Sequence, residues 1–186
     1  GGGEPTLDER LARWLRLARE LGCSKRQIES NGLRLSDPKY LSHLVEAGLT
    51  DVRIMLPAVS NEIWSTMTRT DRLVDIAWKG ASDVLEAKLG LHAVIPVSET
   101  NVSHLSDIIT ACANRLPGVA SVSLRPVFFS LPPNDENSAR AQDVIKRVRA
   151  ETVDTDPLAH ALTEAVQRAE AHNLSVTLDL SGGLPL

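Results

Sequence analysis

A glycine run closed by a carboxylate and a proline, Gly1-Gly2-Gly3-Glu4-Pro5-Thr6-Leu7, opens the chain and leads straight into a helical pattern. Glycines permit positive φ and close approach of backbone N–H groups to a ligand, while Pro5 presets the chain for the helix behind it. A carboxylate at a helix start repels phosphate and accepts hydrogen bonds from amino or cationic groups, so Glu4 suits an amino-acid-like ligand better than a nucleotide phosphate. Taken alone, the string fits a plain flexible glycine start equally well. More polar residues fall just past the other strand candidates: Ser30 and Asn31, Ser60 and Asn61, Ser98 and Glu99, Arg125, Asp179 and Ser181. Arg125 stands in an otherwise apolar strand before Pro126, which requires it to be paired or open to a cavity. Asn31 before Gly32 is a ready turn former as well as a candidate contact, and Glu99 and Asn101 fit the capping of the helix beside them.

Other chemistries have little support. His43, His92, His104, His160 and His172 are scattered and share no ligand spacing, so no metal site is expected within the chain. Cys23 and Cys112 are far apart and read as small buried residues of a reducing compartment. No lysine sits inside a strand candidate where a Schiff-base lyase or aldolase would need it. The net charge is −4 and aromatic residues make up 3% of the chain, without basic clusters, which disfavours a nucleic-acid partner. No apolar run reaches the length of a membrane span and no signal-peptide pattern is present, so a cytoplasmic protein is expected.

The elements that must position these residues alternate. Apolar positions at spacings of three and four predict a helix over Asp8–Leu21, with Trp14 in the core, and a strand follows at Gln27–Ser30. Ser36-Asp37-Pro38 caps a helix over Lys39–Ala47 that Gly48 closes, and Asp51–Leu56 reads as a buried strand. Pro57–Asp71 reads as an extended loop with a short helix around Ile63–Met67. Helices over Leu73–Lys88 and Asn101–Leu116 flank a strand at Leu91–Val97, and Val119–Phe129 is expected to be the longest strand. A polar loop at Ser130–Asn137, helices over Ala139–Arg149 and Pro157–His172, and a strand at Ser175–Leu180 complete the pattern. Such alternation means parallel strands with right-handed crossovers, in a barrel or a doubly wound sheet. A barrel brings every strand's carboxyl end to one mouth and explains the polar positions with fewer assumptions.

Gly2-Gly3-Glu4-Pro5-Thr6, then a helix, then Ser30-Asn31-Gly32, then Ser36-Asp37-Pro38 with Val45-Glu46-Ala47-Gly48-Leu49 and the strand from Asp51, resembles the radical S-adenosylmethionine superfamily. Val94–Asn101 and Val176–Pro185 continue the similarity, although only the first fifty or so residues are specific. The resemblance implies a partial (β/α)6 TIM-like barrel over residues 1–186, with the first strand and a Cys-x3-Cys-x2-Cys loop lying before residue 1 and the second strand absent or nearly so. It implies an oxidoreductase-type core that uses S-adenosylmethionine and a 4Fe-4S cluster to make a 5′-deoxyadenosyl radical. An electron donor such as flavodoxin or ferredoxin and a substrate of unknown identity would be its partners, and the chain alone would be inactive. The cofactor-binding positions so implied are Gly2, Gly3, Glu4, Pro5, Ser30, Asn31, Asn101 and Arg125, with Ser60 or Asn61 replacing the polar ribose contact where Met55-Leu56-Pro57 stands. The alternative is a non-catalytic doubly wound α/β binding or interaction module.

Overall fold

A computed structural model describes residues 3–71, 73–127 and 155–179. In chain order the elements are α1 (Leu11–Glu20), β1 (Gln27–Ser30), α2 (Pro38–Ala47), β2 (Asp51–Met55), α3 (Asn61–Thr68), α4 (Val74–Glu86), β3 (Gly90–Val97), α5 (Leu105–Arg115), β4 (Ser121–Pro126), α6 (Thr155–Ala171) and β5 (Val176–Leu178). All strand pairs are parallel, and the order in the sheet, β1-β2-β3-β4-β5, follows the chain without reversal. A doubly wound sheet reverses its strand order at a switch point; this sheet winds one way, as a barrel does. The fold is a partial TIM-like barrel.

The two faces of the sheet differ because strand side chains alternate. Ile28, Val52, Ile54, Leu91, Ile95 and Leu124 point outward into one apolar core shared with Leu41 and Leu44 of α2, Ala77 and Trp78 of α4 and Ile108 of α5. Glu29, Arg53, His92, Ser121 and Arg125 occupy the opposite, inward positions. The inward face is curved. Arg125 on β4 bonds Glu29 on β1 at 2.7 and 3.0 Å, although three strand spacings would separate their backbones by roughly 14 Å in a flat sheet.

Local signals set the helix ends. Asp37 accepts from the Lys39 N–H, Pro38 takes the first helical position, and Gly48 ends α2 at φ 106°. Ser60 accepts from the Ile63 N–H and buried Trp64 anchors the next turn, so the expected loop at Pro57–Asp71 holds a full helix from Asn61 to Thr68. Two expectations about single residues are corrected. Trp14 is 50% exposed, because α1 buries the ridge of Leu11, Ala12 and Leu15 and leaves Trp14 on its flank. Cys23 is exposed in the turn after α1, while Cys112 is buried in the core. Among the described residues β3 is the longest strand, not β4, which ends at Pro126. The expected strand end at Phe129, the loop at 130–137, the helix at 139–149 and Gly182-Gly183 lie outside the described residues.

Candidate functional site

Glu4 lies at the carboxyl end of β1, in extended conformation ahead of a short turn at Pro5–Leu7. Its Oε1 accepts from the Thr6 N–H at 3.1 Å, the Thr6 hydroxyl at 2.7 Å and the Ser30 hydroxyl at 2.8 Å. Its Oε2 accepts from the Asn31 N–H at 2.8 Å. Every one of these donors is neutral, and among the described residues no cation lies within ion-pair distance of Glu4. A carboxylate offers about four lone-pair sites, so Oε1 is filled and Oε2 retains capacity toward the solvent side.

The donors are themselves held. Ser30, 3% exposed, accepts from the Gly32 N–H, and the Asn31 side chain accepts from the Leu33 N–H. The Thr6 carbonyl accepts from Arg34 at 2.6 Å and from the Tyr40 hydroxyl at 2.9 Å, with the guanidinium stacked 4.2 Å from the Tyr40 ring centre. Gly32 takes φ 78°, and a Cβ on Gly80 would stand 2.1 Å from the Gly32 carbonyl oxygen, so α4 rests directly on this turn. Gly3, at φ 132°, has open space around it, and Pro5 starts the short turn. Gly2 lies outside the described residues.

One layer down the strands, four charged side chains meet across the inward face. Arg125 binds both oxygens of Glu29 and also reaches Asp179 Oδ2 through Nε and a terminal nitrogen, each at 3.1 Å. Arg53 donates to the same Asp179 oxygen at 3.0 Å. Its Nε lies 3.1 Å from Glu29 Oε2 but is buried without a hydrogen bond. Bonding to Arg125 holds the Glu29 carboxyl below its ordinary range, and bonding to Glu29 raises the Arg125 guanidinium. Arg125 is thus paired, as an arginine in that strand requires. The ion pairs pass over β3, whose inward Val94 is fully buried outside the main apolar core.

Beside this layer, Met55, Pro57, Met67, Thr68, Pro96 and Ser98 line much of a cavity of about 100 Å³ at the strand ends. Asn101 does not face it. Fully buried, it donates to the carbonyls of Pro57 and Pro96 and accepts from the Ser98 N–H, tying the ends of β2 and β3 together. Its side chain caps no helix. Ser60 is spent as the cap of α3. The structure therefore gathers Glu4, Ser30 and Asn31, sets Arg125 beneath them, and gives Ser60 and Asn101 local structural bonds. Thr6, Arg34, Tyr40, Glu29, Arg53 and Gly80 are members of this region that motif reading missed. Glu29 and Arg53 carried a signal, since charges at inward positions of short strands need partners.

At the amino ends of the strands His92 meets Ser121 at 2.9 Å and Asp51 at 3.5 Å. That end of a barrel carries stability rather than chemistry. Among the described residues no group of three His, Cys, Asp or Glu could hold a metal ion, and no helix is long and apolar enough to cross a membrane.

A one-way parallel half-barrel with a carboxylate held at its carboxyl-end rim defines the class: a partial TIM-like barrel with polar residues gathered at the strand ends. No protein-family model matches the chain. It is 27% identical over 157 residues to the 7,8-dihydro-6-hydroxymethylpterin dimethyltransferase of Methanocaldococcus jannaschii, covering 81% of this chain and 31% of that protein. It is 28% identical over 128 residues to a probable GTP 3′,8-cyclase of Sulfurisphaera tokodaii, covering 68% and 40%. The chain thus spans well under half the length of either relative. A domain of pyruvate-formate lyase-activating enzyme from Bacteroides vulgatus superposes with a TM-score of 0.68 at 16% identity, covering 96% of both chains. Streptococcus suis SuiB, solved bound to S-adenosylmethionine, gives 0.70 at 13% identity, over 97% of this chain and 38% of that one. These relatives and neighbours support the resemblance to the radical S-adenosylmethionine superfamily, and the two structures share the partial-barrel fold.

Proposed function

We propose that this chain is the part of a radical S-adenosylmethionine enzyme that receives the methionyl amino group of the cofactor, with Glu4 as its acceptor. The observation that carries the reading is the Glu4 carboxylate, fixed by four neutral donors and left with acceptor capacity on Oε2. Thr6, Ser30 and the Asn31 N–H orient it, and Gly3 leaves room for close approach. When bound, S-adenosylmethionine supplies a 5′-deoxyadenosyl radical that abstracts hydrogen from a substrate. The residues present fit the amino group but not a 4Fe-4S cluster. The sequence holds two cysteines; Cys23 is exposed in the turn that leads into the amino end of β1, opposite the rim, and burial pushes the Cys112 thiol up to about 12. On this reading the cluster ligands and the electron donor are supplied from outside these 186 residues, which are expected to be inactive by themselves.

The two curated relatives are named for reactions on a dihydropterin and on GTP, which share a fused 2-amino-4-oxopyrimidine ring. We infer a substrate of that class for this protein. The cofactor assignment is tested by calorimetric titration of the complete, reconstituted protein with S-adenosylmethionine. Glu4→Gln is expected to weaken binding about tenfold or more while thermal unfolding shifts little, since a carboxylate-to-ammonium bond is lost. Unchanged affinity removes Glu4 from the site.

A further inference from the structure

The charged layer beneath Glu4 does more than brace the barrel. Its front and back members differ in access: the side chains of Arg125 and Asp179 are 12% and 14% exposed, whereas those of Arg53 and Glu29 are 29% and 39% exposed. Arg125 and Asp179 are the more enclosed pair, and Arg53 and Glu29 the more open to solvent. Arg125 occupies one lone pair on each Glu29 oxygen, which leaves acceptor capacity on both. Among the described residues Arg53 makes a single side-chain hydrogen bond, from a terminal nitrogen to Asp179; its Nε is buried against Glu29, so the terminal nitrogens are what it has left to donate. Cross-strand register places Glu29 directly opposite Arg53. The cleft is thus offered an acceptor edge and a donor edge side by side.

The balance of charge restricts what can bind there. Among the described residues two arginines face two carboxylates, a balance that favours a neutral ligand over phosphate or another multiply charged anion. A neutral ligand with adjacent donors and an acceptor on one edge matches instead, because a carboxylate accepts two parallel N–H bonds and a guanidinium donates to a ring carbonyl. The apolar cavity adjoins the same layer. Met55 stands two residues along β2 from Arg53, and Pro96 is the cross-strand partner of Arg125. An apolar wall beside a few convergent polar groups is the usual form of a small-molecule site.

We propose that Glu29 and Arg53, backed by Arg125 and Asp179 and flanked by the Met55–Pro96 cavity, form the subsite that reads the amide-type edge of a planar 2-amino-4-oxopyrimidine heterocycle. Glu29 accepts from the ring N–H and the exocyclic amine, and Arg53 donates to the ring carbonyl. The assignment rests on the substrate class adopted above and is independent of Glu4.

The test uses the complete protein and ring pairs that differ at the edge being read: pterin against lumazine, and guanosine against inosine. Wild-type protein is expected to bind pterin and guanosine about ten- to a hundredfold more tightly than the partners that lack the exocyclic amine. Inorganic phosphate is expected not to compete. Glu29→Gln, folded by near-ultraviolet circular dichroism, is expected to abolish the discrimination, and Arg53→Lys to weaken both members of each pair. Equal binding of pterin and lumazine, binding of neither, or discrimination that survives in folded Glu29→Gln overturns the proposal. If a variant fails to fold, the wild-type comparison alone decides. Discrimination that persists alongside an unaltered Glu4→Gln titration would discard the cofactor assignment and leave this subsite standing.

Discussion

Glu4 and Glu29 are two carboxylates near the end of the same strand, held in opposite ways. Glu4 is gripped by two backbone N–H groups and two hydroxyls, Glu29 by the fork of Arg125. Neutral donors fix a carboxylate in place without cancelling its charge, whereas an arginine fixes it and neutralises it. On the proposed reading the rim attracts a cation, and the floor reads hydrogen-bond direction without attracting charge. One strand end supports both because Ser30 points outward to the rim bonds while Glu29 points into the cleft.

The largest effect that would break this contrast comes from removing one of the two cations of the floor. Arg125→Met leaves Arg53 facing both Glu29 and Asp179, and we expect a loss of about 2–4 kcal/mol in urea unfolding, below the full cost of a broken buried pair because Glu29 is partly solvated and Arg53 remains. A loss near zero would mean that the floor is not electrostatically tied. Next comes the support of the rim. Gly80→Ala drives a methyl group into the Gly32 carbonyl, and we expect a cost of about 1–3 kcal/mol together with weakened S-adenosylmethionine binding, measured by calorimetry. Unchanged binding would uncouple α4 from the rim. The smallest effect is acid sensitivity. Arg125 holds the Glu29 carboxyl below its ordinary value of 4.5, so the contribution is complete above that pH and is lost as pH falls through the lowered folded value. Urea midpoints followed downward from neutrality should stay level and then decline below about 4.5, with a shallower decline in Arg125→Met.

Much of the architecture was legible because its signals are local. Gln27–Ser30 agrees with the strand throughout, and Asp37-Pro38 with Gly48 bounded α2, since caps and apolar periods act over a few residues. Trp14 misled because a three-four spacing cannot say how wide the buried stripe is. Asn101 was read as a cap or a cofactor contact; its bonds to Pro57 and Pro96 cross from one strand end to another, and no neighbouring residue announces them. Glu4 with Ser30 and Asn31 could be paired in advance through the resemblance. The floor could not, because Glu29, Arg53, Arg125 and Asp179 are spread over 150 residues and only the winding of the sheet brings them together.

The bonds that pass over β3 act like a string drawn across a bow. A sheet that does not close on itself lacks the continuous ring of hydrogen bonds that fixes the width of a sealed cylinder, and here the span from β1 to β4 is tensioned by side chains instead. Mouth size is thereby decoupled from the outer helices: those could be exchanged or shortened with little change in aperture, whereas a guest that loosens one tie would let the whole arc relax around it.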